Sequence, residues 1–240
     1  MRRSLLVLCA LAIPGGFARP APPPPPSPAV AEITLVADAP DPPLPEPLPW
    51  VRALAPLRFV NTRTGAAIPV RLYAGDGSVD EHVASAIDAV LADRRSSESA
   101  PRTSSDRDAA PHRLNRRVLQ LVVKAAAHFG ATEVRVVSSY RDGGRKGSRH
   151  RVGRALDFTL AGVRPGKLAS YLRKLARVGV GIYTHPRTQF VHLDVRDESY
   201  HWADGSPPGR WWRGSRMTDR AAVSRDAAYR PEDDWPGDAH

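Results

Sequence analysis

The most constraining feature of the sequence is the stretch Ser148–Asp157, which is followed further along the chain by His192-Leu193-Asp194. The first stretch supplies His150 and Asp157, and the second supplies His192. Two imidazoles and a carboxylate are ligand types of catalytic zinc sites, in which one position stays open for water. The sequence therefore predicts one bound zinc ion. Iron or manganese would suit the same ligand types, so the residues alone leave the metal open.

The residues around these ligands predict how they converge. Ala155–Leu160 has the pattern of a short strand, in which Asp157 lies on one face. Phe190–Val195 alternates with period two, which places His192 and Asp194 on one side and apolar residues on the other. If the two strands are neighbours, the three ligands meet, and Asp194 lies in or next to the shell of metal ligands.

Both stretches resemble the zinc murein peptidases of the M15 type. The first has the pattern Ser-x-His-x-x-Gly-x-Ala-x-Asp at every fixed position, and the second reads Phe-Val-His-x-Asp-Val. The branch that they resemble comprises the periplasmic L,D-endopeptidases (DUF882 proteins), which have the hedgehog/D,D-peptidase fold. The resemblance includes Arg58–Gly65, Leu91–Arg95 and Ser138–Arg141, and covers about residues 54–205. It implies a peptidase that uses one zinc ion and acts on peptidoglycan.

The fold that the resemblance implies is α+β. It is an antiparallel sheet of four to six strands with two or three helices packed on one face and the zinc site on the open side of the sheet. Helical spacing predicts helices at Glu81–Asp93, Leu114–Phe129 and Pro165–Arg177. Alternating apolar residues predict strands at Leu57–Asn61, Ile68–Tyr73, Glu133–Ser138, Ala155–Leu160, Val178–Tyr183 and Gln189–Val195.

The two ends of the chain differ in composition from this central part. Residues 1–18 begin with a basic pair, continue with an apolar run and close on a small-x-small site, which predicts a secretory signal peptide and export to the periplasm or cell envelope. Residues 19–53 are expected to be a proline-rich linker. The M15-like metallopeptidase domain is expected at 54–209, with a mobile insertion at about 96–112. Residues 210–240 are expected to be mostly disordered.

Cysteine content and charge narrow the possible partners. Cys9 is the only cysteine, so no intramolecular disulfide can form, and Leu8 stands where lipidation of Cys9 would need a small residue. The formal net charge of +10 suits an exported protein that meets anionic wall polymers. No Arg-rich helix with interleaved aromatic residues is present, which argues against a nucleic-acid surface. We expect that the protein binds peptidoglycan, is a monomer and has no transmembrane segment.

The candidate catalytic residues are Asp194 and Arg141. Several zinc peptidases of this type carry a glutamate three residues before the last histidine ligand, but Gln189 stands there and cannot accept a proton. Asp194 is therefore the candidate for general base or for orientation of a ligand, and a salt bridge to Arg141 or Arg196 is the alternative. By resemblance, Arg141 engages a carboxylate or carbonyl oxygen of the substrate.

Two further residues are candidates for substrate binding. Tyr183 has a hydroxyl that could donate to a developing oxyanion, and His185 could lie on the rim of the site. Trp202 is expected to close the core. The sequence thus predicts a zinc-dependent endopeptidase or carboxypeptidase that acts on peptidoglycan stem peptides or cross-links. Since Gln189 is not a base, a non-catalytic, metal-containing wall-binding module of the same fold stays open, as does an exported structural protein without metal.

Overall fold

The computed structural model describes residues 46–92, 113–141, 147–210 and 214–236. The predicted signal peptide, residues 19–45 of the predicted linker and the predicted insertion lie outside the described residues. The family-like central part is described except for two segments, residues 93–112 and 142–146.

Five α-helices occur among the described residues. They are α1 (Pro49–Ala53), α2 (Glu81–Leu91), α3 (Arg116–Phe129), α4 (Pro165–Leu172) and α5 (Ala222–Ala228). Two short 3₁₀ helices lie at Arg149–Val152 and Pro231–Asp234. Helix α2 begins after Asp80, whose carboxylate accepts from backbone N–H groups of the first turn, and α3 ends at Gly130, whose φ of 62° suits glycine. Among the described helices, none has the length and apolarity needed to cross a bilayer.

Eight strands in the described part of the chain form one sheet in the order β2-β1-β3-β4-β6-β5-β7-β8. They are β1 (Leu57–Asn61), β2 (Ala67–Val70), β3 (Glu133–Ser138), β4 (Ala155–Leu160), β5 (Val178–Tyr183), β6 (Val191–Val195), β7 (Tyr200–Asp204) and β8 (Ser215–Met217). The β1–β3 and β5–β7 pairs are parallel, and the other pairs are antiparallel.

The α+β class is as predicted, but the expectation of an antiparallel sheet of four to six strands is wrong, and the described helices outnumber the two or three expected. The reason for the parallel β1–β3 pair is a long crossover that contains α2 and α3, which lets the chain return to the same end of the sheet. Strands β7 and β8 were missed because their polar and aromatic residues do not alternate with apolar ones.

The two faces of the sheet have different roles. Leu156 and Phe158 of β4 and Leu193 of β6 are fully buried in the core, where α3 and α4 pack against these strands. Side chains alternate along a strand, so Asp157 and His192 lie on the opposite face of the same strands. The core therefore fixes the strands, and the other face carries the polar side chains.

Residues 214–236, which were expected to be mostly disordered, contain a strand, an α-helix and a 3₁₀ helix in the structure. Strand β8 pairs with β7, the second 3₁₀ helix packs on α3, and α5 is joined to the domain through Asp226, which accepts from the backbone of Arg177 and Ser199. The Asp234 carboxylate accepts from Arg117 Nε at 2.7 Å, and Asp226 accepts from the backbone N–H of Arg177 at 2.6 Å. The charged composition of this segment suggested a solvated tail, but several of its acidic side chains are paired with groups on the domain.

The last residues of the predicted linker, which was expected to end at residue 53, form a helix in the structure. Helix α1 lies inside the region expected to be linker and packs on the domain through Trp50. The Trp50 ring meets Tyr73 edge-on at a centroid distance of 4.9 Å and stacks on Trp235 at 5.9 Å. The two ends of the described chain therefore meet in one aromatic contact.

Candidate metal centre

The three predicted ligands are brought together by two strands and a 3₁₀ helix. Asp157 of β4 and His192 of β6 are direct cross-strand partners in an antiparallel pair. The 3₁₀ helix Arg149–Val152, which immediately precedes β4, adds His150. All three side chains are buried, and one ligand atom from each lies within 4.8 Å of the other two.

The distances between the ligand atoms are close to those of a tetrahedral metal site. The Nδ1 atom of His192 lies 2.8 Å from Asp157 Oδ1, and the Nε2 atom of His150 lies 3.3 Å from the same oxygen. The two ring nitrogens are 3.2 Å apart. Ligand atoms on a tetrahedral zinc ion, with bonds of about 2.0–2.1 Å, lie roughly 3.3 Å from one another. The three side chains therefore fit one small divalent ion.

Both imidazoles are oriented by hydrogen bonds from the nitrogen that faces away from the cluster. His150 Nδ1 donates to the backbone carbonyl of Ser139 at 2.6 Å, and His192 Nε2 donates to Asp194 Oδ2 at 3.0 Å. Such bonds fix the tautomer and the ring plane, so the other nitrogen carries a lone pair towards the metal position. No sequence pattern identifies Ser139 as a partner of His150, because Ser139 contributes its backbone carbonyl and not its side chain.

Asp194 lies behind His192 and has both oxygens engaged. Arg196 Nε donates to Oδ1 at 2.7 Å, and Arg196 Nη2 and His192 Nε2 both donate to Oδ2. The carboxylate is fully buried. Burial alone would raise the pKa of Asp194, but the hydrogen bonds from His192 and Arg196 outweigh it and lower the pKa to about 2. These contacts suit orientation of a ligand rather than proton transfer, and they include the salt bridge to Arg196 that was the alternative.

Arg141 reaches the metal centre from the cleft. Its Nη2 atom donates to Asp157 Oδ2 at 3.0 Å, and about half of its side chain (49 %) is exposed to solvent. Burial alone would raise the pKa of Asp157, but the adjacent imidazoles of His150 and His192 hold it well below its usual range. Arg141, Asp157 and Phe190 line a cleft of about 340 Å³. A guanidinium that is anchored on one side and open to the cleft on the other can meet an oxygen of a bound substrate.

Tyr183 and His185, the two further residues predicted to bind substrate, lie in different surroundings. Tyr183 lies at the end of β5, half-buried, and its ring stacks on Phe190 with centroids 4.3 Å apart. Burial, with a smaller contribution from the Asp157 charge, raises the pKa of Tyr183 to about 12, so its hydroxyl is protonated and can donate near the cleft. His185 lies in the following loop, where its Nδ1 accepts from the backbone N–H of Arg187. Gln189 is exposed.

The sequence predicts that Trp202 closes the core. The structure instead places it on the face of the sheet that carries Asp157 and His192, which is called the metal face below. Its ring lies on the same face as His192, with centroids 5.0 Å apart. Space for the ring exists because residue 181 is glycine, and a Cβ atom on Gly181 would lie only 2.4 Å from the Trp202 ring. A Cβ on Gly179 would likewise lie 2.1 Å from Asp194 Oδ2. Glycines at alternate positions of a strand indicate that side chains from other strands cover that face. The glycines of β5 are therefore the sequence signal for the position of Trp202.

A Gly181→Ala variant tests the role of Trp202. The added methyl group should displace the indole from His192, lower the free energy of unfolding by about 1–3 kcal/mol through overpacking, and weaken Zn²⁺ binding by up to roughly tenfold. Thermal unfolding and competitive zinc titration measure the two effects. Gly166→Ala is the control, since nothing lies within 4 Å of its added methyl. If both variants bind zinc like the wild type, Trp202 has no influence on the metal centre.

A family model described as peptidoglycan L,D-endopeptidase MepK matches residues 51–202. The match contains all three candidate ligands together with Arg141 and Asp194, and it ends before β8, α5 and the second 3₁₀ helix. Searches of curated proteins and of solved structures give no significant match.

Proposed function

The chain belongs to the M15 peptidase family of the peptidoglycan L,D-endopeptidase MepK, and from this membership we propose that it is a zinc-dependent hydrolase of peptide bonds in peptidoglycan stem peptides or cross-links. The observation that carries the proposal is the convergence of His150, Asp157 and His192 within the matched region. The proposed cofactor is one zinc ion. The proposed location is the cell envelope, because residues 1–18 have the pattern of an export signal and the chain carries a formal charge of +10.

The ligand set defines the chemistry. A bound zinc ion would supply a Lewis acid and a water molecule that ionises near neutral pH. Asp157 would be the anionic ligand, and the two histidines, oriented by Ser139 and Asp194, would be the nitrogen ligands. Because the cluster is buried while the cleft beside it is open, a substrate reaches the site from the side of Arg141.

The residues around the cleft have distinct proposed roles. Arg141 holds a carboxylate or carbonyl oxygen of the peptide with the exposed part of its guanidinium. Tyr183, whose hydroxyl stays protonated, donates a hydrogen bond to an oxygen in the cleft. Asp194 acts through His192 as a positioning residue, since neither of its oxygens is open to the cleft. Of its two candidate roles, we therefore propose orientation of a ligand rather than general base.

A second candidate function is a metal-containing module that binds the wall without cleaving it. The observation that favours it is Gln189, an exposed amide at the position where related zinc peptidases carry a glutamate. Such a protein would bind muropeptides through Arg141 and the metal but would release no fragments.

Digestion of purified muropeptides distinguishes the two functions. Zinc-loaded protein is incubated with dimers cross-linked either between two diaminopimelate residues or between D-alanine and diaminopimelate, and the products are identified by mass spectrometry. We expect new fragments, first from the diaminopimelate-diaminopimelate dimers, no fragments after chelation of the metal, and full recovery when zinc is restored. Binding of the dimers without fragments would favour the wall-binding module. Absence of both binding and cleavage would contradict both functions.

A further inference from the structure

The metal face of the sheet continues beyond the ligands along a single cross-strand row. Consecutive strand pairs join Asp157 to His192, His192 to Gly181, Gly181 to Trp202, and Trp202 to Arg216. Directly paired residues project from the same face of a sheet. The row therefore runs from the metal centre across β5 and β7 to β8, the strand at the edge of the sheet.

The middle of this row is an aromatic surface. Trp202 is half-buried and covers Gly181, so its ring fills the gap that the glycine leaves beside His192. On the same strand, Tyr200 lies 5.8 Å from Trp202 between ring centroids and is 37 % exposed. A ligand that leaves the metal centre towards β8 would pass over these rings.

The end of the row carries a positive charge. Arg216 is exposed, and its guanidinium carbon lies 5.3 Å from the centroid of the Tyr200 ring. No described carboxylate forms a salt bridge with Arg216. Asp219, a nearby acid of the same segment, accepts from Arg225 at 2.7 Å and pairs with His201 at 3.1 Å. As far as the described residues extend, the Arg216 guanidinium is thus held near a ring and keeps its hydrogen-bond donors for an anion.

The length of the row suits a peptide. Three strand spacings of about 4.8 Å separate the Cα atoms of His192 and Arg216, which is roughly 14–15 Å. An extended chain spans this distance with about four residues. A carboxylate that lies a few residues from a bond held at the metal, or on the second arm of a cross-link, can therefore reach Arg216.

We propose that Arg216, with Trp202 as an apolar floor, forms a subsite for a carboxylate of the peptide that binds at the metal centre. A guanidinium fork matches a carboxylate in two parallel hydrogen bonds, and stem peptides of peptidoglycan carry several carboxylates. The identity of the peptide rests on the proposed function. Since β8 lies beyond the family match, Arg216 is a contribution of the C-terminal segment, whereas Trp202 is the last residue of the matched region.

Two synthetic cross-linked stem peptides that differ only in one group test the subsite. One has a free carboxylate on the arm that extends from the scissile bond, and the other has a carboxamide there. With the zinc-loaded full chain, KM should be about tenfold lower for the carboxylate peptide than for the carboxamide peptide, and kcat should be similar for both. A tenfold difference corresponds to the loss of one charge-assisted contact. Arg216→Gln should abolish this preference, and Arg216→Lys should retain part of it. Higher salt should weaken the preference.

The control is Arg220→Gln, which removes the same charge from an exposed site in the same segment and should keep the full preference. Thermal unfolding verifies that each variant is folded. If the wild type has no preference, or if Arg216→Gln keeps it, Arg216 only packs on Tyr200 and the subsite is refuted. If the wild type cleaves neither peptide, calorimetric affinities replace the rates. A carboxylate preference that Arg216→Gln removes would then support the subsite while the proposed hydrolysis fails.

Discussion

A His150→Ala variant is expected to lose bound zinc and all muropeptide cleavage while remaining folded. Removal of a ligand leaves only Asp157 and His192 on the ion, so the loss of affinity should exceed the roughly 10–100-fold that is typical when an outer hydrogen-bond partner is removed. The fold should survive, because the strands are fixed by the apolar core on the other face. One buried hydrogen bond to the Ser139 carbonyl is lost, which costs about 1–3 kcal/mol.

Elemental analysis after dialysis measures the zinc, and mass spectrometry of a muropeptide digest measures cleavage. His128→Ala is the control, because His128 is an exposed histidine on α3 that stacks on Tyr171. It should keep one zinc per chain and the wild-type products. If His150→Ala retained stoichiometric zinc, the three-residue centre would be wrong. If the wild type bound zinc and His150→Ala did not, but neither cleaved, the centre would stand and the hydrolase would fail.

The three candidate ligands could be predicted because their positions follow from local rules. Period-two alternation assigns Asp157 to one face of β4 and His192 to one face of β6, and the pairing of these two strands makes the residues direct neighbours. His150 sits in the 3₁₀ helix that immediately precedes β4, so its distance from Asp157 is limited by the short connection. The helical stripe of α3 was predictable for the same reason, since its buried residues recur with helical spacing.

The remaining features depend on contacts between distant parts of the chain. The parallel pairing of β1 with β3 is decided by how the helices between them pack, which no local pattern contains. Trp202 could be assigned to the metal face only once β7 was known to lie beside β5 and its glycines. In the C-terminal segment, Asp234 looks like one charge among many, but it is buried and paired with Arg117, more than a hundred residues away in sequence. Composition alone cannot show that pairing.

An Asp194→Asn variant separates the two roles that the sequence left open for this residue. The amide keeps an oxygen that can accept from His192 Nε2, but the negative charge is lost and Arg196 loses the carboxylate with which it is paired. The imidazole of His192 is then held less firmly and becomes a weaker ligand, so zinc affinity should fall by roughly 10–100-fold. Competitive titration with a zinc chelator measures this affinity, and turnover is measured at limiting and at saturating zinc.

A positioning residue and a general base give opposite results in this experiment. If Asp194 acts through His192, excess zinc should restore most of the lost turnover, because the defect lies in metal binding. If Asp194 accepted a proton during the reaction, zinc affinity would stay near the wild-type value and turnover would remain low at any zinc concentration. Asp197→Asn is the matched control, since Asp197 is an exposed aspartate three residues further on. The structure favours the first result, because both oxygens of Asp194 are occupied by His192 and Arg196 and neither is exposed to the cleft.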